Sequence, residues 1–168
     1  MTETFTHRGR TFHLRVERDD AMGEPWREHD GHGIVSDWTT RAKKAGERIL
    51  VEDRAQCRYY DVAGTQERAL KDGWGCSHPD HTHATTKETA ACAVERDFQH
   101  LRGWCHDDWF FAVLGVRLDG EGVSQTNYLG GVEYGLDNAY VLETARELAD
   151  EIMARVEVDE PDVQLSEN

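Results

Sequence analysis

The stretch TTKETAACAVERDFQHLRGWCHDDWFFAVLGVRL, residues 85–118, decides the fold because a helical pattern in it passes directly into a strand pattern. Its first residues include Thr85 and Glu88, which have the capping-box spacing that marks the start of a helix. The apolar residues that follow recur at helical intervals and form one stripe: Ala90, Val94, Phe98, Leu101 and Trp104. We therefore predict a helix over residues 86–105 and a strand near residues 109–118.

Patterns on the N-terminal side of this stretch predict a strand, a hairpin and a short helix. Alternating apolar residues in TFHLRVE, residues 11–17, are typical of a half-buried strand. The β-prone runs ERILVED and CRYYD predict a hairpin over residues 47–61. Asp61 can cap the helix that follows, and Gly73 is suited to end it. The intervening residues 18–33 are rich in glycine and charge, which predicts a long loop.

A second hairpin and a last helix are predicted on the C-terminal side. The turn DGEG, residues 119–122, predicts a hairpin that ends near residue 133. Asp137 or Asn138 then caps a helix with an apolar stripe of Val141, Ala145, Leu148, Ile152 and Met153.

Together these elements predict an α+β fold. We expect a single domain over residues 1–156, with a mostly antiparallel sheet built from two hairpins and the N-terminal strand, and about three helices. The remaining residues, 157–168, are acidic and contain a proline, and they predict a disordered tail.

The charge of the chain is large and unevenly distributed. Of the net charge of -14, residues 101–168 supply -11, from 4 basic and 15 acidic side chains. Because neutralising phosphates requires clustered lysine and arginine, we expect no direct binding of nucleic acid. An acidic region of this kind can instead bind a basic groove on another protein.

Several classes of protein are disfavoured by what the sequence lacks. It has no run of 18 apolar residues, so we expect no membrane span, and its polar start MTETFTHRGR has no secretory signal. We therefore expect a cytoplasmic protein whose four cysteines are thiols or metal ligands rather than disulfides. None of the motifs GxxxxGK[ST], GxGxxG, GxSxG and HExxH is present, which disfavours a nucleotide-driven enzyme or a common hydrolase.

One loop has the composition of a metal site. The stretch GWGCSHPDHTHATT, residues 73–86, supplies thiolate and imidazole groups that zinc could bind, with Cys92 as a further ligand: Cys76, His78, His81 and His83. The spacing is not a common zinc pattern, so three interpretations stay open. The loop holds a structural zinc, holds a catalytic metal, or is a polar loop whose histidines face water.

Two further segments carry candidate catalytic groups. In EHDGHG, residues 28–33, the side chains of His29, Asp30 and His32 could bind a metal or act as acid and base, although a plain turn explains the glycines equally well. In WCHDDW, residues 104–109, a cysteine precedes a histidine, but neighbours in sequence rarely face each other. We interpret that second segment as core tryptophans next to a solvated turn.

The last helix presents an acidic ridge. Its acidic residues lie away from the apolar stripe: Glu143, Glu147, Asp150 and Glu151. Three of them are at i, i+4 and i+7, where like charges repel each other by a few tenths of a kcal/mol per pair. A solvated face explains the pattern, and a row of carboxylates that mimics a phosphate backbone is the functional alternative.

Four segments resemble small uncharacterised acidic proteins encoded by bacteriophages and prophages. They are EPWREHDGHGIVSDWTTRAKKAGERIL, RYYDVAGTQERALKDGWG, ERDFQHLRGWCHDDWFFAVLGV and YLGGVE with YVLETARELADEI, and the resemblance spans residues 10–155. It implies a phage accessory protein in the cytoplasm of an infected or lysogenic bacterium. It implies no catalytic residue.

The leading hypothesis is a non-enzymatic accessory protein that binds a host or phage protein. An inhibitor of host defence whose acidic surface mimics nucleic acid is one form of it, and the partner would then be a nucleic-acid-binding protein. The alternatives are a zinc-stabilised structural or regulatory module and a metal-dependent hydrolase. A homodimer formed through a free strand edge also stays open.

Overall fold

The computed structural model describes residues 2–76, 85–120 and 125–159. These residues form seven strands and four helices, in the order β1 (Thr2–His7), β2 (Arg10–Arg18), α1 (Pro25–Glu28), β3 (Ile34–Val35), β4 (Glu47–Asp53), β5 (Gln56–Asp61), α2 (Val62–Asp72), α3 (Thr86–Cys105), β6 (Phe110–Leu118), β7 (Thr126–Tyr134) and α4 (Asn138–Asp159). The predicted α+β class and the antiparallel pairing are confirmed.

The described residues divide into two compact units. Unit 1 combines the N-terminal residues up to Met22 with those from Trp109 onward, and unit 2 is Gly23–Asp108. Each unit has its own sheet, where the sequence analysis expected one. Helix α4 continues past the predicted end at residue 156 to Asp159, and residues 160–168 lie outside the described residues.

The sheet of unit 1 has the strand order β1-β2-β6-β7, and all its neighbours are antiparallel. Strand β1 was not predicted because TETFTH is mostly polar. It forms because it pairs with β2, with Phe5 opposite Phe12. The turn between them places Arg8 and Gly9 at positive φ.

One face of this sheet carries the core of unit 1. The stripe predicted on α4 is buried there, and Ala145 and Ile152 are fully buried. They pack with inward side chains of β2 and β6, which include Leu14, Leu114 and Val116. Burying each such side chain contributes about 1.5–3 kcal/mol, so this contact is the main source of stability for α4.

Unit 2 is a three-stranded sheet, β3-β5-β4, packed with α2 and α3. The Asp61 side chain accepts a hydrogen bond from the Gly64 amide at 2.9 Å, and α2 ends at Gly73 in the left-handed conformation, as predicted. Helix α3 begins at the predicted capping box and ends at the predicted residue. Its stripe packs on the sheet in a cluster that includes Leu50, Tyr60, Val94, Phe98 and Leu101.

The segment predicted as a long loop contains the short helix α1 and is anchored by a buried arginine. Arg58 donates to the Glu24 carboxylate and, at 3.2 Å, to the Ser36 carbonyl. Its guanidinium lies 5.4 Å from the ring centre of Trp26 and 5.1 Å from that of Trp38. These contacts fix both ends of the chain segment that carries residues 29–33.

Candidate functional site

A partly buried carboxylate on α3 organises the best-defined polar site of unit 2. The Asp97 side chain is 9% exposed and accepts three hydrogen bonds, each 2.7 Å long. His32 Nδ1 bonds to Oδ1, while the Gly33 amide and the Tyr60 hydroxyl both bond to Oδ2. One carboxylate therefore joins the segment after α1, strand β5 and helix α3.

A glycine permits this close approach of backbone and side chain. A Cβ atom on Gly33 would lie 2.4 Å from the Tyr60 ring, which has no room to move because the residue is fully buried. The Tyr60 ring packs edge-on against Phe98 with ring centres 5.5 Å apart. Packing of the core thus sets the position of the hydroxyl that bonds to Asp97.

The network also fixes where the protons lie. Burial, together with the nearby negative charge of Asp97, raises the pKa of Tyr60 well above its usual value, so its hydroxyl stays protonated and donates. An ionised carboxylate only accepts hydrogen bonds, so His32 carries its proton on Nδ1. Nε2 of the neutral ring is then unprotonated.

A second histidine lies next to this pair. The rings of His32 and His100 are stacked, with centres 5.7 Å apart and planes 12° apart. The His32 side chain is 15% exposed, and its Nε2 has no partner within the described residues. In the neutral ring this nitrogen is therefore available as a hydrogen-bond acceptor.

A cavity of about 370 Å³ lies next to this network, lined by residues that contact His32 but not by His32 itself. Its wall includes Asp97 and His100 themselves, together with Gly31, Trp74, Gly75 and Arg96. A volume of this size is within the range of small-molecule sites. A partly buried His–Asp pair next to such a cavity can bind a ligand and exchange a proton with it.

The cysteines next to the cavity are paired. Cys76, which follows the cavity-lining Gly75, forms a disulfide with Cys92 on α3, with a Cα–Cα distance of 5.8 Å. Thiols or metal ligands were expected for all four cysteines, but only Cys57 and Cys105 are free thiols. The pairing was not predicted because Cys92 on α3 comes close to Cys76, in the segment after α2, only in the folded chain.

The predicted zinc site is only partly covered by the described residues. The candidate ligands His78, His81 and His83 lie outside them. Cys76 and Cys92, the two cysteines among the candidate ligands, form a disulfide, which has no thiolate to bind zinc. Among the described residues, no cluster of three histidine, cysteine or acidic side chains is arranged to hold a metal ion. The zinc site stays a prediction.

The predicted catalytic triplet is separated by the fold. His29 and Asp30 are exposed, and His32 alone reaches the buried network. The acidic partner of His32 is Asp97, which is 65 residues away in sequence. The sequence feature that could have indicated this partner is Asp97, an acidic residue directly before Phe98 of the apolar stripe on α3.

The WCHDDW segment does not form a nucleophile pair. Burial raises the pKa of the Cys105 thiol to about 11, so almost no thiolate is present at neutral pH. His106 bonds through Nδ1 to the Arg102 carbonyl at 2.7 Å. This agrees with the structural interpretation of the segment.

Two of the four predicted acidic residues on α4 already have partners in unit 1. Asp150 pairs with His7 at 2.7 Å and with Arg8 at 3.0 Å. Glu151 accepts a hydrogen bond from Asn127 at 2.5 Å. The other two predicted residues, Glu143 and Glu147, are exposed and have no partner in the described part of the chain.

Exposed apolar side chains precede these two carboxylates. Leu136 is 51% exposed and Tyr140 is 50% exposed. Leu136 lies just before α4, whereas Tyr140, Glu143 and Glu147 follow the spacing i, i+3 and i+7 on one face of the helix. We call Tyr140, Glu143 and Glu147 the α4 stripe.

Comparisons with protein-family models, curated proteins and solved structures find no match for this chain. The described helices include none that is both long and apolar enough to cross a membrane.

Proposed function

We propose that unit 2 carries an acid–base site in which His32 accepts and returns a proton at the cavity. The observation that supports it is the 2.7 Å hydrogen bond between His32 Nδ1 and a carboxylate that two further donors hold in place. Asp97 is the positioning residue. It keeps the proton on Nδ1, orients the ring and stabilises the imidazolium that forms when Nε2 is protonated.

The proposed site differs from the metal-dependent hydrolase considered on sequence grounds. It uses one residue of the predicted triplet and needs no metal for the proton transfer. General acid–base catalysis by a positioned histidine contributes about 10²–10⁴-fold to a rate, which suits hydrolysis or group transfer on a small molecule.

The experiment compares His32→Gln with His29→Gln, a matched control because His29 is exposed on the same segment. Two measurements apply: ¹⁵N NMR of the imidazole rings, and hydrolysis of 4-nitrophenyl acetate, which reports histidines with an available nitrogen. We expect the neutral His32 ring to carry its proton on Nδ1 and to leave Nε2 unprotonated. We expect His32→Gln to lower hydrolysis, and His29→Gln to leave most of it. Equal rates in both variants, or a neutral His32 ring that carries its proton on Nε2, would refute the proposal.

A second function, binding of a basic partner protein, is supported by the α4 stripe in unit 1. An apolar start followed by free carboxylates suits a groove that is apolar at one end and basic along its length. We propose a host or phage protein as the partner, in the cytoplasm of an infected or lysogenic bacterium, in line with the resemblance to phage proteins. Asp150 and Glu151 are left out of the proposed contact because they already have partners.

The test reverses the two free carboxylates in the double variant Glu143→Lys/Glu147→Lys. The control, Glu52→Lys/Asp53→Lys, makes the same charge change at exposed positions of unit 2. Proteins captured from a lysate of infected bacteria are identified by mass spectrometry. We expect the α4 variant to lose proteins that the wild type and the control both retain. Identical capture by all three would contradict this function.

A further inference from the structure

The cavity next to the Asp97 network has an arginine in its wall, in a chain whose net charge is -14. Arg96 lines it, is exposed, and has no ion pair within the described residues. Among the described residues of the wall, the one carboxylate is Asp97, which already accepts three hydrogen bonds. The adjacent acidic residue on α3, Glu95, is bound by Arg48 and Gln99.

A second guanidinium lies nearby. Arg68 on α2 donates to the His32 carbonyl at 3.2 Å, which places its positive charge next to the same segment. In the part of the wall that the structure describes, Arg96 is therefore the free cation, and Arg68 adds to the positive potential. A planar guanidinium binds the oxygens of phosphate in pairs, so an anion with several oxygens is the complementary ligand.

The other walls leave space and offer an aromatic surface. A Cβ atom on Gly31 or on Gly75 would meet nothing within 4 Å. Trp74 is half-buried and lines the cavity, and His100 presents an imidazole ring. Aromatic faces of this kind pack against planar rings. The cavity therefore combines a site for an anion with a site for a flat apolar group.

From these features we infer that the cavity binds a small phosphate monoester that carries an aromatic group. The phosphate lies at Arg96 and the ring lies toward Trp74 and the open glycine walls. This inference deepens the proposed acid–base function and rests on its cavity, but the binding itself does not need proton transfer by His32.

The experiment titrates the full chain with phenyl phosphate, inorganic phosphate and phenol, by calorimetry and by NMR. We expect phenyl phosphate to bind most tightly, with a Kd below roughly 1 mM, because only it uses both parts of the cavity. The variant Arg96→Gln should weaken phenyl phosphate binding about tenfold, as expected when a hydrogen-bonding cation is removed. The control Arg102→Gln removes an exposed arginine from the same helix, away from this cavity, and should change the Kd less than about twofold.

A second variant tests whether binding requires the open cavity next to Gly75. Gly75→Leu places a side chain where nothing now lies within 4 Å, so it should fill the cavity and abolish binding while the melting temperature is kept. Equal binding by wild type and Arg96→Gln, or phenol binding as tightly as phenyl phosphate, would overturn the inference. So would a failure of phenyl phosphate to bind.

The two proposals fail separately. If phenyl phosphate does not bind but His32→Gln lowers ester hydrolysis as expected, only the ligand class is wrong. If phenyl phosphate binds through Arg96 but His32→Gln does not alter ester hydrolysis, the acid–base function is wrong and the ligand class stands.

Discussion

Replacing Asp97 by asparagine should move a proton within the His32 ring. Oδ2 of Asp97 accepts from two donors, the Gly33 amide and the Tyr60 hydroxyl, while Oδ1 accepts from His32 alone. In Asp97→Asn, the amide keeps the larger number of bonds by placing its carbonyl oxygen at the Oδ2 position. Its NH₂ group then faces His32 Nδ1, which must become an acceptor. The proton on the ring therefore moves to Nε2, and the proposed base is lost.

The energetic cost follows from the same three bonds. Hydrogen bonds to a charged group contribute about 1.5–3 kcal/mol and neutral ones about 1 kcal/mol. Replacing three hydrogen bonds to a carboxylate by three to a neutral amide therefore costs about 3 kcal/mol. Since a neutral amide is easier to bury than a carboxylate, part of this is offset, and we expect a net loss of about 2 kcal/mol. Asp97→Ala leaves three donors without an acceptor and should cost about 4 kcal/mol.

The assay combines ¹⁵N NMR of the imidazole nitrogens with denaturant unfolding of both variants. The His32 signals are assigned by their absence in His32→Gln. We expect the protonated nitrogen of His32 to change from Nδ1 to Nε2 in Asp97→Asn, at a lower free energy of unfolding. An unchanged tautomer, or a stability within about 0.5 kcal/mol of wild type, would refute the reasoning about this network.

Three further predictions test other parts of the chain. Cys76 and Cys92 are 16 residues apart in sequence, and reducing their disulfide should lower the free energy of unfolding by about 3 kcal/mol. The reason is that the unfolded chain regains the entropy of an open loop. Equal denaturant midpoints with and without reductant would contradict this prediction. The hydrogen bond from Arg41 lowers the pKa of Glu47 from 4.5 to about 2, so the stability that this pair contributes is present above pH 4.5 and is lost as the pH falls toward 2. Glu47→Gln should reduce the loss of stability between pH 4.5 and pH 2. A loss as large as that of wild type would contradict a contribution from this pair. Ile152→Ala removes a fully buried side chain from the core of unit 1 and should cost about 2–5 kcal/mol in chemical denaturation, whereas a loss below about 1 kcal/mol would place Ile152 outside a packed core.

Elements with local signals were predicted well. Helix α3 begins at the Thr85 capping box and ends where its apolar stripe ends, and α2 lies between the predicted Asp61 cap and Gly73. These signals act over a few residues of the chain, so they can be read without knowing the fold. Strand β1 carried no such signal, because its polar residues become a strand only by pairing with β2.

The candidate site was predicted only in part. His32 was named, but the expected acidic neighbour was Asp30, which is exposed. The ridge on α4 was predicted as four equivalent carboxylates, yet Asp150 is paired with residues of β1 and the following turn. In both cases the missing information is which distant side chain lies within hydrogen-bonding distance.

The sequence by itself determined the α+β class, the ends of α2 and α3, and the excess of negative charge in its last third, because these depend on neighbours along the chain. Only the tertiary structure decided that the strands form two sheets, that Cys76 meets Cys92, and that His32 meets Asp97. The physical reason is range. Hydrogen bonds and disulfides act over a few ångströms, and residues far apart in sequence come that close only after helices and strands have packed.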